Sequence, residues 1–151
     1  MNKQSRFQKL GLLTGLGLFF FGLPIAGVVF FWRDSQAKMQ AGALKYARET
    51  VVPLMKRWDY EEVFGQVSVE GRKTVTAEAV AAYATKWGKL LDSSEPTATR
   101  TLVGEREDSA WQMTWVTVPA RFERGEVKVR VKVAHRTTST LWQVEALEVG
   151  G

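Results

Sequence analysis

The stretch VPARFERGEVKVRVKV, residues 118–133, decides the fold. In its second half Val127, Val129, Val131 and Val133 alternate with charged residues, the period-two pattern of a strand that buries one face. Gly125 lies in the preceding polar segment, where a tight turn needs a positive φ. The stretch therefore predicts a β-hairpin whose second strand faces the core with its valines.

The residues before this hairpin alternate as well, but in two phases. Trp111, Met113 and Trp115 occupy odd positions, and then the apolar residues move to the even positions Val116, Val118, Ala120 and Phe122. A change of phase within one long strand predicts either a bulge or burial on both faces. Further strands are expected at 97–107 and near 142–149.

Helical periodicity precedes the strands. Apolar residues recur at three- and four-residue steps from Leu44 to Trp58, which predicts a helix over about 36–57 with a kink or break at Pro53. Thr76 is a good N-cap for a second helix over about 77–91. The expected domain is α+β, with two helices packed on an antiparallel sheet of three to four strands.

Four segments in this order carry a resemblance to a known family: RWDYEEVF (57–64), TVTAEAVAAYATKWGKL (74–90), the hairpin stretch, and LWQVEALEV (141–149). The chain resembles the NTF2-like (cystatin-like α+β) superfamily, in particular small bacterial envelope proteins with an N-terminal membrane anchor. The resemblance covers about 37–149 and implies a curved sheet forming a cone. It names no reaction.

The N-terminal part has the pattern of a membrane anchor. Residues 10–32 carry no charge, and this run of 23 residues would form a helix of about 34 Å, enough to cross a hydrocarbon core of ~30 Å. Within it, Gly11 and Gly15 could pack against another helix. Trp32 marks the outer interface. The expected organisation is a tail at 1–9, a transmembrane helix at 10–32 and one domain at 33–151.

The flanking charges orient this anchor. The tail has three cations and no acid, so the positive-inside rule keeps it in the cytoplasm and places the domain outside the inner membrane, in the periplasm or its equivalent. A cleaved signal peptide is the alternative. Its best cleavage site follows Ala26, which puts Pro24 at an unfavourable position and leaves apolar residues beyond the site, so an uncleaved anchor is favoured.

Composition excludes several functions. The chain has 21 Lys and Arg, three of them in the tail, and 16 Asp and Glu, so the domain carries a charge of only about +2. No basic cluster is interleaved with stacking aromatic residues, which disfavours nucleic-acid binding. There is no Cys, so no disulfide, thiol nucleophile or thiolate metal site can form.

Acid–base chemistry has few candidates. Some enzymes of the resembled superfamily are isomerases or dehydratases with an Asp, His or Tyr in the cone, and the corresponding residue types here are Asp59, Tyr60, Tyr83 and His135. Their positions show no acid–base spacing, and a single His with scattered carboxylates shows no metal-ligand spacing. We therefore expect no enzyme, no metal and no cofactor.

Two binding hypotheses remain. Tyr83 and the tryptophans Trp87, Trp111 and Trp115 could line a pocket for an apolar ligand, or simply fill the core. The stripe Lys128, Arg130 and Lys132 could contact an acidic partner or lipid head groups, or be the solvated face of its strand. The favoured function is a single-pass accessory, assembly or scaffold subunit of a larger membrane or envelope complex. The alternatives are a ligand-binding module and, third, an enzyme.

Overall fold

A computed structural model describes residues 33–99, 101–106, 109–136, 139 and 141–150. The chain divides into two compact units, Met1–Ala37 and Lys38–Gly151. The described part of the first unit is 33–37, which is helical. The helices and strands of the second unit are numbered in chain order.

The first helix, α1, covers 38–57 and confirms the helix predicted for this region. It is α-helical over 38–46, π-helical over Ala47–Val51 and α-helical again over Val52–Arg57. Pro53 does not end it. The wider π turn lies directly before Pro53, where the proline nitrogen has no hydrogen to give to the preceding turn. Trp58 ends the helix with a left-handed conformation, φ 51°.

A short second helix, α2, covers Tyr60–Gly65. Asp59 is its N-cap, and its carboxylate accepts hydrogen bonds from the backbone of Glu61 and Glu62. The acidic residues of this segment thus stabilise the positive end of a helix. A 3₁₀ turn at Gly71–Lys73 follows.

The third helix, α3, covers Ala77–Trp87 and begins at the predicted N-cap, Thr76. Its predicted end at Leu91 is wrong. Gly88 takes a φ of 74°, and the hairpin turn binds the chain on either side of it. The amide of Arg124 donates to the Trp87 carbonyl, at 3.1 Å, and the Glu123 carboxylate accepts from the Lys89 amide, also at 3.1 Å. Because these contacts end the helix at Trp87, Leu90 and Leu91 belong to a strand instead.

The described residues form one antiparallel sheet of six strands, more than the three to four expected. The strands are β1 Leu90–Ser93, β2 Thr97–Ala98, β3 Leu102–Arg106, β4 Ser109–Phe122, β5 Gly125–Arg136 and β6 Gln143–Val149. Their order is β1-β4-β5-β6, with β2 and β3 also paired to β4. The single strand predicted at 97–107 is therefore two short strands.

The predicted hairpin is confirmed as β4 and β5, joined through Glu123 and Arg124. Its register is continuous from Trp111 opposite Arg136 to Phe122 opposite Gly125. Of the two readings of the phase change in β4, a bulge between these strands is wrong. Irregular register occurs instead in the pairing of β1 with β4 and, between Lys132 and Val133, in that of β5 with β6.

One face of the sheet packs against the helices. We call it the helix face; its buried side chains are Thr114, Val116, Val118, Ala120, Phe122, Val129, Val131, Val133 and Val144. The helices contribute Ala43, Ala47, Val51, Met55, Val63 and Val80 to the same core. The valines of β5 thus face the helices as predicted, with Val127 half-buried at the end of the row.

The outer edge of β6 is covered by the segment after α2. Val67 forms a parallel bridge with Val144, and the carbonyl of Val144 accepts a hydrogen bond of 2.9 Å from the Ser68 amide. Farther along, the hydroxyl of Tyr83 donates to the carbonyl of Leu147 at 3.2 Å. These contacts satisfy backbone groups that an edge strand otherwise leaves unpaired.

Candidate functional site

The opposite face of the sheet, here called the open face, carries Trp111, Met113 and Trp115 on β4. All three are half-buried, and none belongs to the set of side chains packed against the helix core. The apolar phase change in β4 therefore reflects apolar residues on both faces of a regular strand. Aromatic and Met side chains at a surface are residue types that protein interfaces favour.

Arginine side chains lie over the two tryptophans of the open face. The Arg130 guanidinium carbon is 4.7 Å from the ring centre of Trp115, and that of Arg136 is 5.2 Å from the ring centre of Trp111. Cation–π contacts of this kind contribute about 0.5–1 kcal/mol at exposed sites. They hold the rings and the charges in one layer across β4 and β5.

The predicted cationic stripe lies on this same face. Arg130 pairs with Glu148 at 3.1 Å, and Lys132 pairs with Glu145 at 3.2 Å. Glu145 is the notable partner, because only 4% of its side chain is exposed. Within the described residues Lys128 is exposed and has no ion pair. The stripe is thus less positive than the sequence alone suggests, and neither glutamate was singled out by the sequence reasoning.

A cavity of about 520 Å³ borders the open face at the start of β4. We call it the Trp111 cavity; it is lined by Ser68, Val69, Glu70, Trp111, Arg136, Ser139, Leu141, Gln143 and Glu145. The Trp111 indole Nε1 is shielded from solvent and has no hydrogen-bond partner in the described structure. The volume of the Trp111 cavity lies in the range of small-molecule sites.

A second cavity, of about 650 Å³, lies near the hairpin turn and includes Trp87, Asp92, Arg121, Glu126 and Lys128. Here too the indole Nε1, of Trp87, is buried without a partner among the described residues. The lining is rich in both charges, so it favours no single ligand class.

The four residues predicted to form one apolar pocket are not brought together. Trp111 and Trp115 lie on the open face, whereas Trp87 and Tyr83 lie on α3. The ring of Tyr83 is 6.2 Å from that of Trp58, which stacks on Phe122 at 5.9 Å, and the Tyr83 hydroxyl is engaged with β6. Tyr83 thus belongs to an aromatic cluster inside the helix face.

The acid–base candidates have separate structural partners. Asp59 caps α2, and Tyr60 contacts the ring of Phe64 at 5.4 Å. The His135 ring meets Trp142 edge-on at 4.2 Å, and its Nδ1 is 2.7 Å from the Arg136 carbonyl oxygen. Across the described chain, no group of three or more potential metal-ligating side chains is found.

No protein-family model matches the chain, and no curated protein is significantly similar to it. The predicted anchor, with Gly11, Gly15, Pro24 and Trp32, lies outside the described residues. Within the part of the chain that is described, no helix is both long and apolar enough to span a bilayer.

Proposed function

We propose that this protein is a membrane-anchored accessory, assembly or scaffold subunit, and that the open face of its NTF2-like domain contacts a larger membrane or envelope complex. The open face carries the proposal. It presents Trp111, Trp115 and Met113 with arginines stacked on the two tryptophans. Trp and Arg are the residues that most often dominate the binding energy of protein interfaces.

The charge of this face indicates its partner. Lys128 and Arg130 are exposed. Glu148 pairs with Arg130 and Glu145 with Lys132, whereas Lys128 has no ion pair within the described residues. An acidic, partly apolar protein surface would complement it. The uncharged run at 10–32 supports attachment to the inner membrane, with the domain in the periplasm or its equivalent.

Co-purification from native membranes tests this function. The full chain, extracted in mild detergent, should retain a partner complex. Trp115→Ala and Arg130→Glu should each reduce the retained complex at least about tenfold, a loss of ~1.4 kcal/mol typical of an interface hot spot. Lys45→Glu, an exposed change on α1, should retain it.

Two results would contradict the proposal. A wild-type chain that purifies alone argues against a subunit. Retention of the complex by both open-face variants places the interface elsewhere. Asp59→Asn and His135→Ala should also retain the complex, because their side chains serve a helix cap and a ring contact.

A further inference from the structure

The two edges of the sheet differ in what covers them. At the β6 edge, Val67 and Ser68 bind Val144, and Tyr83 binds Leu147. At the opposite edge, β3 pairs with β4 alone among the strands of the described chain. Every second residue of such an edge strand directs its N–H and C=O groups away from the sheet, where another strand can bind them.

β1, β2 and β3 follow one another along this edge, and β3 is the best template among them. β1 pairs irregularly with β4, and β2 has only two residues. β3 has five residues, and its register with β4 is regular from Leu102 to Arg106. Residues 101–105 contain neither Pro nor Lys, the residues that commonly block an edge. The backbone of β3 is therefore suited to pairing with a further strand.

β3 is also apolar on both of its faces. Leu102 and Val103 are neighbours in the strand, so their side chains lie on opposite faces, and 58% and 62% of their surfaces are exposed. The register places Leu102 beside Met113 on the open face. An added strand with apolar side chains would remove part of both residues from water, which stabilises the pairing through the hydrophobic effect.

Gly104 decides which strand fits. A Cβ at this position would lie 3.3 Å from Met113 Cε, so the Met113 side chain extends over the glycine toward the edge. The added strand should therefore place an apolar residue opposite Gly104 and another opposite Val103. β3 has this pattern itself. When two copies of β3 run antiparallel with Val103 opposite Val103, Leu102 of each copy lies opposite Gly104 of the other.

We propose that β3 pairs with β3 of a second copy of this chain, antiparallel and with Val103 at the two-fold axis. This pairing joins the two sheets into one and leaves both open faces on the same side. Because only one short strand of each copy takes part, the contact is smaller than the ~1,600 Å² of a standard interface, and the dimer exchanges with the monomer. It does not depend on the partner contact proposed above.

A single cysteine tests this contact. The chain has no Cys, so Val103→Cys introduces its only thiol. Directly opposed residues of antiparallel strands have Cα atoms about 4.5–5.5 Å apart, a distance that a disulfide can bridge. The full chain is oxidised in a large excess of detergent micelles, so that two chains do not share a micelle by chance. Val103→Cys should form disulfide dimers at least about tenfold faster than Val69→Cys, because pairing raises the local concentration of its thiols.

Val69→Cys is the matched control, since it changes a valine outside β3 that is even more exposed. Equal rates for Val69→Cys and Val103→Cys would overturn the proposal. Leu102→Cys checks the register, because two copies of residue 102 would lie about 7–8 Å apart, beyond the reach of a disulfide. It should react as slowly as the control. Cross-linking of Leu102→Cys as fast as that of Val103→Cys would overturn the register. Oxidation in native membranes that links Val103→Cys to a different protein, and not to its own copy, would overturn the second copy as the occupant.

Discussion

The two faces of this sheet come from the same strands but use different side chains. On the helix face, β5 presents Val129, Val131 and Val133, all fully buried. On the open face the same strand presents Arg130 and Lys132, beside the half-buried tryptophans of β4. Small branched side chains let helices approach closely and pack densely. Large aromatic rings and arginines are residue types that protein interfaces favour, which is why the open face carries the partner contact proposed above.

The largest expected effect is a charge placed on the helix face. Val131→Asp should lower the free energy of unfolding by several kcal/mol, because it buries an unpaired carboxylate. Thr117→Asp places the same residue on the open face, directly opposite Arg130. It should cost under about 1 kcal/mol, since cross-strand opposite charges attract. Chemical denaturation of both variants measures the difference, and equal losses would show that the faces are not distinct.

The second largest difference between the faces should come from removing an aromatic ring from each of them. Phe122→Ala should cost about 3–5 kcal/mol, because it opens a cavity beside Trp58 in the core. Trp115→Ala should cost only about 1–2 kcal/mol, since its ring is half-exposed and loses mainly the contact with Arg130. Thermal unfolding compares the two, and a larger loss for Trp115→Ala would indicate that the open face is a second core.

The hairpin, and hence the division between faces, follows from local sequence. A period of two over residues 127–133 and a glycine in the turn leave one register that buries the valines. The register also explains the two apolar phases of β4, because it places Trp115 opposite Lys132 on the open face. What stays hidden is the ion pair of Lys132 with Glu145, because it depends on irregular pairing between β5 and β6.

Tertiary contacts also decide the elements that sequence periodicity missed. The helix Tyr60–Gly65 is too short for a hydrophobic repeat to be visible, and its N-cap Asp59 gave the only local signal. The end of α3 depends on Glu123 and Arg124, which come from the distant hairpin turn. The Trp111 cavity joins segments remote in sequence, so no motif marks it.

A smaller effect should come from the polar pair at the border of the core. The hydroxyl oxygens of Thr101 and Thr114 lie 2.6 Å apart, and both residues are buried. Thr114→Val should cost about 1–2 kcal/mol by removing one partner of this bond. The double variant with Thr101→Val should lose less than the sum of the single changes. Additive losses would show that the two hydroxyls contribute independently.

The smallest effect appears at alkaline pH. Burial raises the pKa of Tyr46 above its ordinary value of 10.0, and its hydroxyl donates to Gln66 at 3.2 Å. Above pH ~10 the unfolded chain loses this proton first, so stability falls as pH rises, by up to about 1.4 kcal/mol per unit. Tyr46→Phe should lessen that fall while losing about 1 kcal/mol at neutral pH.

Tyr60→Phe is the matched control, since it preserves the buried phenol of Tyr46. Denaturation between pH 8 and 11 should give this control the alkaline dependence of the wild type. If Tyr46→Phe also follows the wild-type curve, ionisation of Tyr46 does not cause the loss of stability at alkaline pH.

The contact between Gly42 and Trp142 has a consequence for synthesis. A Cβ at position 42 would lie 3.1 Å from the Trp142 ring, so the first helix is fitted to a residue near the end of the chain. Val67 likewise forms its β-bridge with a distant residue, Val144. Contacts between such distant residues form slowly, because a long loop must close first. A ribosome must therefore release nearly the whole domain before α1 can bury its apolar side, and we expect the nascent chain to need protection from aggregation until then.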